Sequence, residues 1–321
     1  MKKFFIFLLC VLAMCAGVKA QDVPQDSTVS VIAWFNKGDV REFVVRQAEH
    51  WFAKGDTVPL YSCGERFRIE VTDSTAQGYK MAFNIVESWV DSIPGSEVND
   101  LMARVNSKMD STVREAIILF ETDECGAITS FTNLDDVRAR AEEIYAKIKN
   151  DIVNKEEIDL LEENGVDISD LLDESNIKKL VDGFVEEIQM LFQNHGKAFQ
   201  LGQHTSHEEE EGGVVVDRLI DVKRADETHQ YRILSAMEMT VPQNIVREAV
   251  KDGVESITEN QDLINAADAE FNHQVVFDTE SRAVGVGCYY PDGWPYYYAR
   301  IIKVNVGTQG KIIQTQIDIV D

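Results

Sequence analysis

Three clusters in this 321-residue chain hold residue types that could do chemistry. Gln203-His204-Thr205-Ser206-His207 runs into four glutamates, Glu208 to Glu211. Imidazoles and carboxylates are the donors that Zn²⁺ or another divalent cation takes. The spacing differs from that of the helical zinc-protease motifs. Gly202, Gly212 and Gly213 bracket the run, so it reads as an acidic loop tip with His204 and His207 as metal candidates.

The second cluster is acidic: Asp159, Glu162, Glu163, Asp167, Asp170, Asp173 and Glu174. A calcium loop needs D-x-[DN]-x-[DN]-G with a later glutamate. The spacing fails, and a solvated helix face is expected. The third cluster is aromatic. Tyr289, Tyr290, Trp294, Tyr296, Tyr297 and Tyr298 surround Pro291-Asp292-Gly293. Pro-Asp-Gly is turn chemistry, so these rings crowd the end of a hairpin. There they either stack on a sugar or apolar ligand or cover the core with their hydroxyls reaching water. Tyr289, Tyr290, Trp294, Tyr296 and Tyr298 are the ligand-binding candidates.

Nucleophilic and nucleotide chemistry find no motif. G-x-S-x-G, G-x-x-x-x-G-K-[ST] and C-x-x-C are absent from the sequence. Gly285-Val286-Gly287 sits inside a strand pattern and reads as a bulge or a close backbone approach. No cofactor is expected.

The elements that must hold these clusters come in the order strands, helices, strands. Arg66 to Val71 alternates, with Phe67, Ile69 and Val71 on one side and Arg66, Arg68 and Glu70 on the other. Period-two alternation is the mark of a half-buried strand. Thr28–Phe35, Val40–Gln47 and Tyr79–Val90 are further strands, and Cys63-Gly64 reads as a turn. A short helix is expected over Ser96–Met109, and a hairpin over Ala116–Phe120 and Ala127–Phe131. Leu134–Val153 and Ser175–Asn194 are helices. The second has Ile177, Leu180, Val181, Phe184, Ile188 and Leu191 at helical spacing. Val214–Val222, Tyr231–Thr240, Ala283–Tyr290, Tyr296–Val306 and Lys311–Val320 return to strands. A helix over Gln243–Lys251 and a strand over Val275–Asp278 interrupt them.

This order predicts an α+β fold: one antiparallel, curved sheet built from both ends of the chain, with a helical middle packed on it or projecting from it. The expected divisions are a leader over 1–20, strand-rich regions over 21–132 and 201–321, and a helical segment over 133–200.

Charge narrows the partners. With 31 basic and 56 acidic residues the net charge is −25. Phosphate backbones need cations facing them, so nucleic-acid partners are excluded. The start, Lys2-Lys3 and then an apolar run to Gly17 and Val18-Lys19-Ala20, has the three parts of a cleavable signal peptide. The mature chain is expected to begin at Gln21 and to work in the periplasm or outside the cell. Lipoprotein processing at Cys15 is the lesser alternative. No later run is long enough to span a bilayer as a helix. Beyond the leader three cysteines remain: Cys63, Cys125 and Cys288. An oxidising compartment permits one disulfide, for which Cys63 and Cys288 are the candidate pair.

The leader, Arg68-Ile69-Glu70-Val71-Thr72-Asp73-Ser74-Thr75-Ala76-Gln77-Gly78-Tyr79 and Glu121-Thr122-Asp123-Glu124-Cys125-Gly126 resemble stretches of exported proteins of the Bacteroidota that have no assigned activity. The resemblance covers the N-terminal third and implies a compartment and a lineage only. The expected function is that of an exported, non-enzymatic protein that binds an apolar or amphiphilic small molecule or a protein partner. A lipoprotein-carrier type of half-barrel is the analogy. A hydrolase of envelope or host polymers is the alternative, requiring convergent carboxylates, and a plain interaction module is the third reading.

Overall fold

A computed structural model describes residues 27–53, 55–91, 117–151, 174–210, 212–224, 231–246, 279–306 and 308–320. Thirteen strands and two helices are defined among them. The strands are β1 (Thr28–Ser30), β2 (Val40–Ala53), β3 (Asp56–Thr75), β4 (Gly78–Val90), β5 (Ile117–Thr122), β6 (Ile128–Phe131), β7 (Ala198–Gln200), β8 (Gly202–Glu209), β9 (Val215–Arg224), β10 (Tyr231–Val241), β11 (Thr279–Tyr289), β12 (Pro295–Val306) and β13 (Gln309–Val320). The helices are α1 (Leu134–Asp151) and α2 (Glu174–Phe192). The expected Ser96–Met109 helix, the acidic 156–173 stretch, the Val275–Asp278 strand and most of the Gln243–Lys251 helix lie outside the described residues.

Eleven strands form one sheet in the order β6-β5-β4-β3-β2-β13-β12-β11-β10-β9-β8. All its pairings are antiparallel. The two ends of the chain meet in the middle of this sheet, where β13 pairs with β2. Construction from both ends is therefore as the sequence predicts. The described chain is richer in strand than the α+β expectation.

The reason lies in strand length. Alternation exposes only the half-buried part of β2 and β3, whereas the ladder carries both strands on to Ala53 and Asp56. Cys63-Gly64 is no turn but lies inside β3, where the Trp89 indole occupies the space a Cβ at Gly64 would need. The N-terminal strand is shorter than expected. β1 leaves the large sheet and pairs with β7, and Val31, Ala33 and Phe35 continue as irregular chain with buried side chains.

One face of the sheet is the inner one. Phe43 and Val45 of β2, Phe67 and Ile69 of β3, Met81 and Phe83 of β4, and Ile317 of β13 share a core with Val181, Phe184, Ile188 and Leu191 of α2. From Val181 on, the helical stripe read from the sequence is the docked face. The opposite face carries charged pairs such as Arg66–Glu87 and Arg46–Asp318. Exposed pairs of this kind keep a face solvated and add little stability.

Candidate functional site

The aromatic hairpin forms the junction between β11 and β12, with Gly293 in the left-handed region at φ 89° and against the Ile32 backbone. Tyr289 and Trp294 are fully buried and Tyr298 nearly so. Trp294 packs on Phe35 with centroids 4.2 Å apart, and Tyr289 stacks on Tyr231. The Tyr289 hydroxyl takes a 2.8 Å hydrogen bond from Asn194 Nδ2. Of the five ligand-binding candidates only Tyr290 and Tyr296 are part-exposed. Their rings lie 4.8 Å apart. Tyr290 also edges an open groove of about 730 Å³ that includes Arg41, Asp292 and Ile319. The structure thus separates the cluster into three core residues and two surface ones.

The metal candidates are not brought together. The His204–His207 run is an edge strand rather than a loop, paired with β9. Three residues apart on a strand, the two imidazoles point to opposite faces. His204 Nε2 lies 3.2 Å from the Leu201 carbonyl, and His207 Nδ1 lies 2.7 Å from Asp217 Oδ1. Among the described residues no group of three His, Cys, Asp or Glu could hold a metal ion. The disulfide expectation is corrected as well: Cys63 and Cys288 are free thiols. Cys63 is on β3 and Cys288 on β11, with β2, β13 and β12 between them. Four strand spacings are about 19 Å, far beyond disulfide reach.

Two ionisable groups outside the candidate list are buried, Glu187 on the inner side of α2 and His195 just beyond its end. Glu187 Oε1 accepts a 2.8 Å hydrogen bond from Gln47 Nε2. Burial, followed by the Glu65 charge, raises its carboxyl well above the usual carboxylate range. Its neighbour Glu186 takes Arg300 Nη2 at 2.6 Å. His195 is buried among Phe35, Phe192 and Tyr289. Its Nε2 meets the Gly293 carbonyl at 2.9 Å, and burial lowers its pKa to about 4. A helical wheel flags Glu187, which lies on the Phe184–Ile188–Leu191 stripe. Nothing in the sequence flags His195.

The inner face of β11 is a row of small residues. Tyr298 is an inner residue of the core and pairs with Gly287. Alternation then places Gly285, Ala283, Ser281 and Thr279 on the same inner face. Ser235, Met237 and Met239 of β10 pair with Gly285, Ala283 and Ser281, and Arg300, Ile302 and Val304 of β12 pair with the same three residues. Thr279, Ser281, Ala283, Met237 and Met239 are buried within the chain itself, so this row is packed interior and the open groove beside Tyr290 is the feature better suited to a ligand.

Each end of the row is defined. At one end the Tyr289 ring folds back over Gly287, so that a Cβ there would sit 3.0 Å from Cε2. The Arg300–Glu186 pair stands beside Gly285. At the other end Thr279 is 8% exposed and its hydroxyl Oγ1 has no hydrogen-bond partner. The polar belt of Arg300, Thr315, Gln47 and Cys63, which lie in register across β12, β13, β2 and β3, separates this half of the inner face from the aromatic core under α2.

No family model matches the chain. No curated protein matches it either. Among solved structures the chain is similar to lipovitellin, in a structure concerned with that protein's lipid–protein interactions, at 9% identity and a TM-score of 0.42. The match covers 89% of this chain and 25% of that one, so the chain spans about a quarter of lipovitellin's length. Among the described residues no helix is long and apolar enough to cross a membrane.

Proposed function

We propose that this protein is an exported, non-enzymatic binder of an apolar or amphiphilic small molecule, held in the open groove that Tyr290 edges. The observation that carries the reading is this groove of about 730 Å³, in which Val40, Tyr290, Pro291, Ile319 and Val320 stand beside Arg41, Glu42 and Asp292. Ligand sites are concave and mostly apolar, with a few polar groups that fix orientation. Val40 and Val320 are 39% and 38% exposed, apolar surface that a ligand would take out of water. The hydrolase reading has less support. Among the described residues the buried carboxyl is Glu187, sealed between α2 and the sheet, where burial favours its neutral form, a poor arrangement for attack on a polymer.

The test is mass spectrometry of organic extracts of the protein, purified gently from a periplasmic fraction. A stoichiometric apolar molecule is expected from the wild type. It should be absent from Val320→Trp, which fills the groove. A thermal melt establishes that this variant folds, and Val40→Trp serves in its place if it does not. A wild-type protein that carries nothing, and that binds no apolar probe when one is added, sinks the reading.

A further inference from the structure

We infer that the groove takes a zwitterionic amphiphile, with its anionic oxygen group on Arg41, its primary ammonium at Asp292 and its apolar part over Val40 and Val320. The inference rests on the ligand-binding reading above and adds the chemistry of the head group.

The groove opens because the two neighbours of β13 stop at different places. β2 pairs with β13 as far as Val320, opposite Glu42, whereas the last β12 pair is Tyr297 with Asp318. Over Ile319 and Val320 the strand has no β12 partner, and the chain ahead of β12 forms the Tyr290–Gly293 turn instead. The gap between that turn and the start of β2 is the groove.

Charge pairing inside the gap is incomplete. Arg41 lines it together with two carboxylates, Glu42 and Asp292, yet among the described residues Arg41 is in no ion pair. Its Nη1 donates to the Val40 carbonyl at 2.9 Å, and its Cζ lies 5.5 Å from the centroid of the buried Trp294 ring. Packing over that ring orients the guanidinium, and its remaining N–H groups suit the paired oxygens of a carboxylate or phosphate. Glu42 is the next residue on β2, so the two side chains leave the strand toward opposite faces. Asp292 is set by the turn, where its Oδ1 accepts the Trp294 N–H at 3.2 Å.

This arrangement selects the head. An anion alone would answer Arg41 but would meet Glu42, Asp292 and a chain of net charge −25. A cation alone would meet Arg41. A head that carries both charges satisfies each side. The ammonium is primary, because carboxylates accept N–H hydrogen bonds. Tyr290 is the single aromatic ring in the lining, too few for the aromatic cage that a quaternary ammonium takes.

The experiment uses the full mature chain, freed of bound molecules, with a fluorescent alkyl probe in the groove. The competitors share one alkyl chain and differ at the head: α-aminododecanoate, dodecanoate, dodecylamine and dodecanol, each below its micelle concentration. α-Aminododecanoate should bind about three- to tenfold more tightly than any of the others. Arg41→Gln should abolish its advantage over dodecylamine. Asp292→Asn, whose amide oxygen still accepts the Trp294 N–H, should abolish its advantage over dodecanoate. A thermal melt establishes that each variant folds, and the wild-type ranking decides by itself if one does not. Equal affinity for the four heads, or a preference for any other head over the zwitterion, overturns the inference while leaving the binding reading intact. So does a zwitterion preference that survives in both folded variants. Failure of the probe and of every competitor to bind overturns both.

Discussion

Glu187 is the residue at which local chemistry and fold conflict most. It sits on the apolar stripe of α2, 2% exposed, with Gln47 Nε2 donating to its Oε1. Its Oε2 has no partner, and the Glu65 charge acts against its ionisation. The folded protein therefore holds this carboxyl in its neutral form. Keeping the proton costs more as pH rises, because the unfolded chain gives it up freely. Glu187→Gln supplies the same shape without a proton to lose. It should raise the melting temperature at pH 8 by about 2–4 °C, what about 1 kcal/mol is worth in a chain of this size, and change it little at pH 5. A thermal melt of both proteins at the two pH values decides it, and an unstabilised variant at pH 8 counts against a protonated Glu187.

At the same scale, the three cysteines should all titrate as thiols. Ellman titration of the denatured, unreduced monomer should find Cys63, Cys125 and Cys288 reactive. A reductant should leave the melting temperature unchanged, because no disulfide constrains the unfolded chain. Burial, above all, pushes Cys63 up to about 11 and also raises Cys288, so labelling of the folded protein at pH 7 should be slow.

The elements were legible in proportion to how far one face was buried and the other wet. α2, β3, β4 and β13 alternate or repeat cleanly, and each lies where the pattern puts it. β8 does not. Its sequence, Gly-Gln-His-Thr-Ser-His-Glu-Glu, is polar on both faces, because it is an edge strand with one neighbour and only the pairing with β9 makes it a strand. The groove was half legible. The aromatic cluster marks Tyr290 in the sequence, yet Val40, Arg41, Ile319 and Val320 stand beside it only because the two ends of the chain meet where β13 pairs with β2. The aromatic cluster was misleading for the opposite reason: composition marks an interface and a hairpin core alike, and burial of Tyr289, Trp294 and Tyr298 tells them apart.

Element docking itself is testable. Ile188 is fully buried between α2 and the sheet. Ile188→Ala should cost about 2–5 kcal/mol in urea unfolding. Gly285→Ala should cost far less, since a Cβ there meets only ordinary contacts, Ser235 Oγ at 3.4 Å and Tyr298 Oη at 3.6 Å. Equal costs for the two would mean that α2 is not the clamp on this face.

For the molecule as a whole, two of the buried titratable groups, His195 and Glu187, pull stability in opposite directions across pH. His195 is neutral when folded, with a pKa lowered to about 4 from 6.5. Its contribution is complete above pH 6.5. It is lost as pH falls towards 4, because the unfolded chain takes up a proton that the folded one refuses. Over that window the loss is about 3 kcal/mol. Glu187 runs the other way. Its pKa is raised from 4.5, so its contribution is complete below 4.5 and declines as pH rises towards the folded value. Above pH 4.5, where the two windows overlap, the slopes oppose each other. Above 6.5 the His195 slope has ended, leaving the Glu187 slope up to its folded value and the mutual repulsion of a chain with net charge −25 at pH 7. Urea unfolding across pH should therefore give a plateau at mildly acidic pH and a decline above neutrality. In Glu187→Gln the alkaline decline should shrink. In His195→Gln, whose amide can still donate to the Gly293 carbonyl, the fall below pH 6.5 should shrink instead. A profile in which neither variant changes its own limb would mean that neither buried group sets the pH response, and would assign the decline above neutrality to surface charge alone.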